Sequence, residues 1–396
     1  MYQFSENIKS YKSFLLYRGE TAIYTSLLAM GIGQGDEVIL QSFTCPSVPY
    51  PIINSGATPV YVDIDPTTFS LDPNKIEEKI SKKTKAIVIQ HTFGIPAAID
   101  PILDIARTYN LWVIEDCCHA FGARYKGQEV GTFGDVAIYS FGWYKPLVLG
   151  VGGAAVVNNS FLRQKMVALQ KATITPSLKE TFMMHTQYFA YELLSNPSLF
   201  WFQRDIYHKI KNYRQRKARA ASQRNKKESP PQENKISQEV QNQGNIPPQN
   251  GKINVKGIIP FQKKRLFQKL DQFTGDTIPH QSWIVSQYEK RLSRTHYKPL
   301  ELDDHLEPVF YKYPLLSDHQ EDILKEAPEA RIELSNLFVS PIYPPWRRRL
   351  WGRLGYQPGT CPISEGISDR IIALPVHAKV QTKQIEKTIA FLTSLQ

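Results

Sequence analysis

Short apolar runs recurring through the first 160 residues constrain the fold of this chain more than any other feature. They are Val38-Ile39-Leu40, Pro59-Val60-Tyr61-Val62, Ala86-Ile87-Val88-Ile89, Trp112-Val113-Ile114, Val136-Ala137-Ile138-Tyr139 and Ala154-Ala155-Val156-Val157. Each is brief, continuous and mostly β-branched or small, the pattern of strands buried on both faces. Helical stretches lie between them. Asp72-Pro73 opens one, with Ile76 and Ile80 four apart, and Asp100-Pro101 opens another, with Ile102, Ile105 and Ala106 on one side. In both, a capping Asp precedes Pro at the first helical position. Strand alternating with helix predicts an α/β fold with a mostly parallel central sheet sandwiched by helices.

Downstream the pattern changes. Residues 160 to about 211 read as helical and amphipathic, with Trp201, Phe202 and Tyr207. Residues 212–257 are rich in Gln, Asn, Lys, Arg, Ser and Pro and poor in large apolar side chains. Such a stretch buries too little surface to offset its ordering entropy, so a disordered insert is expected. Helical spacing resumes near Ile258 with Phe261, Leu266 and Leu270, then Trp283, Tyr288 and Leu292; residues 307–311 look strand-like, and 382–395 form a closing helix. The expected division is a large domain over 1–175, a helical connection over 176–211, the insert over 212–257 and a smaller α+β domain over 258–396. A chain of 396 residues is long enough for more than one core.

Charge and cysteine usage narrow the function classes. The net charge is +11, but the excess is local: residues 204–227 hold ten Lys or Arg against Asp205, and Arg347-Arg348-Arg349 lie between Trp346 and Trp351. These clusters stand apart from the strand-bearing region. A solvated loop explains them better than nucleic-acid binding, while a weak contact of basic segments with an anionic membrane surface is compatible with them. No run approaches the roughly 18 apolar residues of a membrane span, and the start, Met1-Tyr2-Gln3-Phe4, lacks a signal-peptide pattern. Cys45, Cys117, Cys118 and Cys361 include no CxxC pair, so no metal is expected and reduced thiols of a cytoplasmic protein are.

Two segments carry chemistry. In Val113-Ile114-Glu115-Asp116-Cys117-Cys118-His119, an Asp ends a buried strand; in Tyr139-Ser140-Phe141-Gly142-Trp143-Tyr144-Lys145, a Lys follows another strand's end. Ligands of parallel sheets gather at the carboxyl ends of strands, which would turn both residues to one crevice. A lysine amine can form a Schiff base with an aldehyde cofactor, and burial lowers its pKa toward that of a base. A carboxylate beside a pyridine nitrogen keeps it protonated, so the ring withdraws electrons from the substrate carbon. Read singly, Asp116 is a structural carboxylate and Lys145 a surface charge; on residues alone the pair is as compatible with coincidence as with catalysis.

At this point the sequence resembles the DegT/DnrJ/EryC1/StrS sugar aminotransferases, over roughly residues 14–160 and 258–394. The similar blocks, in order, are Gly19-Glu20-Thr21-Ala22-Ile23, Gly35-Asp36-Glu37-Val38-Ile39, Gly56-Ala57-Thr58-Pro59-Val60-Tyr61-Val62-Asp63, Thr84-Lys85-Ala86-Ile87, His91 to Gly94, and Ile372-Ala373-Leu374-Pro375-Val376-His377. The resemblance implies the fold type I architecture of aspartate aminotransferase, with pyridoxal 5'-phosphate as cofactor. It implies that Lys145 is the Schiff-base lysine and catalytic base and that Asp116 partners the ring nitrogen. His119 would lie near the ring hydroxyl. Ser140, together with Glu20 and Thr21 at a helix start, would hold the phosphate, since helix starts favour anions. Thr21 is the better side-chain candidate, because Glu20 carries the wrong charge. Read without the motif, His119 is a satisfied core histidine and Ser140 a strand end. His91 supports the crevice floor, and His377 is structural.

The implied function is conversion of a keto sugar on a nucleotide to an amino sugar, with an amino acid donor such as glutamate, in polysaccharide or secondary-metabolite biosynthesis, by a homodimer. Alternatives are a binding or regulatory protein on this fold, or a sugar dehydratase; dehydrating relatives have His at the lysine position. Some positions depart from the family. Val151 stands where most members have Glu, and Cys45 where an aromatic residue stacks on the cofactor ring, with Phe43 two residues away. The family's Asn-Tyr-Arg-Met block is absent beside Phe261, and Asn212-Tyr213-Arg214 matches only part of it.

Overall fold

A computed structural model describes residues 2–194, 255–344 and 350–395. The described residues up to Pro176 and from Val255 onward belong to one compact unit; the helix Leu178–Leu194 belongs to a second. Tyr207, Trp201, Phe202, the basic run 204–227, Asn212-Tyr213-Arg214, nearly all of the expected insert and Arg347-Arg348-Arg349 lie outside the described residues.

The first unit opens with α1 (Gln3–Lys9), β1 (Ser13–Leu16) and α2 (Gly19–Met30). Then follow β2 (Glu37–Gln41), α3 (Pro49–Asn54), β3 (Thr58–Val62), β4 (Thr84–Gln90), α4 (Ile99–Thr108) and β5 (Trp112–Asp116). A short ribbon, β6 (Arg124–Tyr125) and β7 (Gln128–Glu129), leads to β8 (Val136–Ser140), β9 (Gly153–Val157) and α5 (Ser160–Lys171). Every predicted apolar run is a strand of one seven-stranded sheet, ordered β1-β9-β8-β5-β4-β2-β3. β2, β3, β4, β5 and β8 are parallel to one another, as expected. β9 runs antiparallel between β8 and β1.

Both faces of the sheet are covered. Val38, Leu40, Val88, Ile114 and Ile138 pack with Ala22, Ile23 and Leu27 of α2 on one face, while Ile39, Ile87, Ile89 and Val113 pack with Ile102 and Ala106 of α4 on another. Fully burying each Val, Ile or Leu contributes about 1.5–3 kcal/mol, so the alternating faces of these strands supply much of the drive for folding.

Counting α6 as the helix Leu178–Leu194, the C-terminal part consists of α7 (Pro260–Gln272), α8 (Ile278–Leu292), β10 (Leu306–Glu307), β11 (Lys312–Leu316), α9 (Gln320–Glu326), α10 (Pro362–Ser368), β12 (Ile371–Pro375) and α11 (Thr382–Ser394). β11 and β12 pair antiparallel. They share a core with Ile284, Tyr288, Ile385 and Leu392, and with Phe43, Phe69 and Phe93 from the loops that follow β2, β3 and β4. Asp63, 5% exposed, ties the parts together by accepting the Ile363 and Ser364 amides at 2.8 and 2.9 Å.

Several local expectations differ from the structure. Asp72-Pro73 opens two separate 3₁₀ turns, Pro73–Lys75 and Glu77–Lys79, instead of an α-helix. Asp72 does cap, accepting the Asn74 amide, but Ile80 is already extended, and so short a segment gains little from helical cooperativity. α4 begins at Ile99, so Asp100 lies in its first turn and pairs with Lys126 at 2.6 Å instead of capping. Within the stretch expected to be helical, α5 ends at Lys171 and a separate helix spans Leu178–Leu194. Of the 307–311 run only Glu307 is in a strand, as the end of β10, and β11, which begins at Lys312, belongs to a different sheet. Trp283 is 38% exposed on α8, stacked on His280 at 5.3 Å, while Tyr288 and Leu292 are buried as the spacing predicts. The expected insert also runs three residues too far: Val255 is buried, and the Lys256 carbonyl accepts the Tyr17 amide at 3.0 Å.

Candidate active site

The carboxyl ends of β5 and β8 lie side by side, because Asp116 is in register with Ile138. Asp116 ends β5 and is 6% exposed; its Oδ1 accepts the Cys118 amide at 3.1 Å, which turns the chain toward His119. Lys145 lies on the loop from β8 to β9. Phe141 N–H donates to the Gly152 carbonyl and Leu149 N–H to the Phe141 carbonyl, closing the base of this loop. Lys145 Nζ stands 3.2 Å from His119 Nε2.

The electrostatics define the rest of the crevice. Burial acts to lower the Lys145 amine, as the sequence argument expected, but Cys118, Cys45, Asp116 and Tyr311 more than offset it and leave the amine above 10.5. Burial raises both the Cys45 and Cys118 thiols above 9.0. Both are thus protonated near neutral pH, and the fixed negative charge that Lys145 meets there is that of Asp116. The downward shift expected from burial alone is corrected by the groups around the amine, Cys118 first, then Cys45, Asp116 and Tyr311.

His119 is half-buried, and burial, then the Lys145 charge, hold its imidazole well below 6.5. The ring is neutral, so Lys145 donates and Nε2 accepts. As pH falls below about 6.5 the unfolded chain gains a proton that folded His119 refuses, so stability declines. In the cofactor-free protein, His119→Gln is expected to reduce the drop in urea midpoint between about pH 7 and about pH 5.5. Equal drops in both proteins would contradict this.

Ser140 ends β8 against the first turn of α2. A Cβ on Gly19 would sit 2.9 Å from the Ser140 Cβ, so the close approach needs glycine. The first intrahelical bond of α2 runs from the Ala22 amide to the Arg18 carbonyl; the amides of Gly19, Glu20 and Thr21 precede it. A helix start beside a serine hydroxyl makes a cradle suited to a phosphate. Thr21 is 2% exposed within that turn, and Glu20 is half-buried. The amine, carboxylate, imidazole and cradle together fit pyridoxal phosphate.

The remaining candidates separate. His91 is buried; its Nδ1 accepts the Ala97 amide at 3.1 Å, which leaves Nε2–H for Glu115 at 3.3 Å. Glu115 also accepts the Gly131, Phe133 and Gly134 amides at 2.6, 2.8 and 2.6 Å. His91, Glu115 and Cys117 offer atoms within 4.8 Å of one another, but this carboxylate is already surrounded by donors, as a structural brace is. Glu115→Gln would turn an amide group on those donors and is expected to cost about 3 kcal/mol in urea unfolding. His377 Nε2 lies 3.1 Å from both Glu333 oxygens. Burial acts to raise Glu333, yet the bond and charge of His377, with Lys312, hold it below 4.5.

The departures have local reasons. Val151 is 6% exposed, so an apolar side chain suits its turn. Cys45 lies close enough to Lys145 and Asp116 for both charges to act on its thiol. Phe43 does not replace it: that ring is buried and packs on Phe338 at 4.8 Å. Sequence reasoning missed Tyr311, whose ring stacks on His119 at 4.8 Å and 29°. Its only signal was an aromatic residue in an apolar run far along the chain.

A sheet of this order, with lysine and aspartate at neighbouring strand ends beside a phosphate-suited helix start, defines a pyridoxal-phosphate enzyme fold of type I. An aminotransferase from Psychrobacter cryohalolentis superposes with a TM-score of 0.72 at 19% identity, covering 99% of this chain and 89% of that one. The model of the DegT/DnrJ/EryC1/StrS aminotransferase family matches residues 3–193 and 266–393, and the chain belongs to that family. The GDP-perosamine synthases of Escherichia coli O157:H7 and Caulobacter vibrioides are each 44% identical to it, over 36% and 41% of this chain. These matches span 40% and 44% of the two relatives, less than half the length of either.

Proposed function

We propose that the chain transfers an amino group from an amino acid, in our reading glutamate, to a keto sugar carried on a nucleotide. The observation that carries this reading is a juxtaposition: the Lys145 amine on His119, beside the Asp116 carboxylate, at strand ends next to the Gly19–Ser140 cradle. When bound, pyridoxal phosphate supplies an aldehyde carbon and a protonated, electron-withdrawing ring. Lys145 Nζ would hold the cofactor and act as the base that moves a proton at the substrate carbon. The Asp116 carboxylate would keep the ring nitrogen protonated. His119 would face the ring hydroxyl, and Ser140 Oγ with the amides of Glu20 and Thr21 would bind the phosphate.

The substrate class is supported by relatives named GDP-perosamine synthase, and the net charge of +11 suits a diphosphate-bearing sugar. Lysine rather than histidine at 145 supports transfer over dehydration. We place the enzyme in the cytoplasm as a homodimer, with a cofactor-binding part over 1–175 and a smaller part over 258–396; among the described residues no helix is long and apolar enough to cross a membrane. The test is mass spectrometry of products from a panel of keto nucleotide sugars with glutamate. The expected product carries an amine in place of the carbonyl. If no sugar is aminated, and the bound cofactor accepts no amino group from common donors, a binding or regulatory role replaces this reading.

A further inference from the structure

Tyr311 lies far along the chain from every residue assigned above, yet it meets two of the segments that make the crevice. Its backbone is anchored first: Tyr311 N–H donates to the Phe93 carbonyl at 2.8 Å, and Val309 N–H to the Gly94 carbonyl at 3.1 Å. Gly94, at φ 95°, has room for no side chain, since a Cβ there would strike the Val309 carbonyl. The segment before β11 is therefore seated on the loop that follows β4.

From this anchor the side chain reaches two places. The ring stacks on His119, and the hydroxyl donates to the Tyr144 carbonyl at 2.7 Å. That carbonyl belongs to the peptide leading into Lys145. The Tyr144 side chain is 86% exposed, so its own ring does little to anchor this stretch. A phenol has one proton, and here it is given to Tyr144; toward any other neighbour the oxygen can only accept. Tyr311 thus acts on both ends of the Lys145–His119 hydrogen bond: it sets the plane of the acceptor ring and the position of the donor's backbone.

We infer that Tyr311 is a positioning residue for Lys145 and His119, a strut by which the segment before β11 holds the amine in line with the imidazole. This rests on Lys145 and His119 serving the cofactor as proposed above. A displacement of the lysine by a fraction of its reach is enough to slow chemistry without changing what is bound, because near-attack geometry is steeply distance-dependent.

The test uses Tyr311→Phe, which keeps the stacked ring and removes the hydroxyl, and Tyr311→Leu, which removes both. Two readouts are needed. The first is on cofactor-free protein: the pH dependence of Lys145 modification by reductive methylation. Lys145 is faced by Cys45, Asp116, Cys118, His119 and Tyr311, and loss of the phenol oxygen is expected to move its titration to lower pH. The second is on the loaded enzyme: kcat is expected to fall about 10-fold in Tyr311→Phe and further in Tyr311→Leu, with KM for the amino donor changed less than about twofold. A purely structural role would lower thermal stability while leaving the titration and the kcat-to-KM pattern as in the parent, and that result would overturn the inference. If Tyr311→Leu fails to fold, the Phe variant decides alone. Retained turnover in Lys145→Ala would remove the reading on which this rests; an unchanged Lys145 titration in Tyr311→Phe would remove the strut itself.

Discussion

Replacing Lys145 by alanine should abolish turnover, a loss on the order of 10⁴-fold or more, together with the near-visible absorption of the bound cofactor. The loop from β8 to β9 brings this amine to within 3.2 Å of His119, half-buried, where it is accessible to a cofactor and shielded from bulk water. The amine alone can both bond to an aldehyde and shuttle a proton; alanine can do neither. Lys145→Arg separates this role from a charge effect. Arginine keeps the positive charge beside Asp116 but is effectively always protonated, so it should fail as completely as alanine. Alanine also removes the donor to His119 Nε2 and the cation beside the buried Asp116, so urea unfolding of that variant should show a loss of stability, while Lys145→Arg, which keeps the charge, should stay closer to the parent. Turnover within about tenfold of the parent in either variant would mean that another nucleophile does the work.

The second large effect is expected at Asp116. Asp116→Asn keeps the shape and an acceptor for the Cys118 amide but loses the charge. Without it, on the reading proposed above, the ring nitrogen of a bound cofactor would no longer be held protonated, and the electron withdrawal that lowers the barrier would be weakened. A fall in kcat of about 10³-fold is expected, of the size found when a preorganised charge-stabilising group is removed. Cofactor retention should change much less, because the lysine and the phosphate cradle remain. The same variant has a signature in the cofactor-free protein: Lys145 loses the fixed negative charge near it and should titrate at lower pH. A kcat reduced less than about tenfold, with that titration unmoved, would place the carboxylate outside the chemistry.

The candidate residues that the sequence singles out are local features of the chain. A strand followed at once by Asp116, and another followed by Ser140 and Lys145, carry their positions in the chain, and parallel strands put their carboxyl ends together. Cys45 interacts electrostatically with Lys145 and Asp116. The brace made by His91, Glu115 and three loop amides was less readable. The burial of Glu115 follows from its place in a strand covered on both faces, but its donors come from residues 131–134, whose turn has no signature pointing back to it.

By itself the sequence determined the α/β class and the strands of the sheet except β1, and it singled out one lysine and one aspartate as candidates, because apolar periodicity and residue chemistry are properties of neighbouring residues. Tertiary structure alone decided that β9 turns antiparallel and that Ser13–Leu16 adds an edge strand beyond it. It also decided that the Asp72-Pro73 segment stays in 3₁₀ turns, that the groups around Lys145 together outweigh its burial, and that Tyr311 meets His119. Each of these depends on which distant segments share space, and a contact across 192 residues or a field from another strand leaves no mark on local spacing.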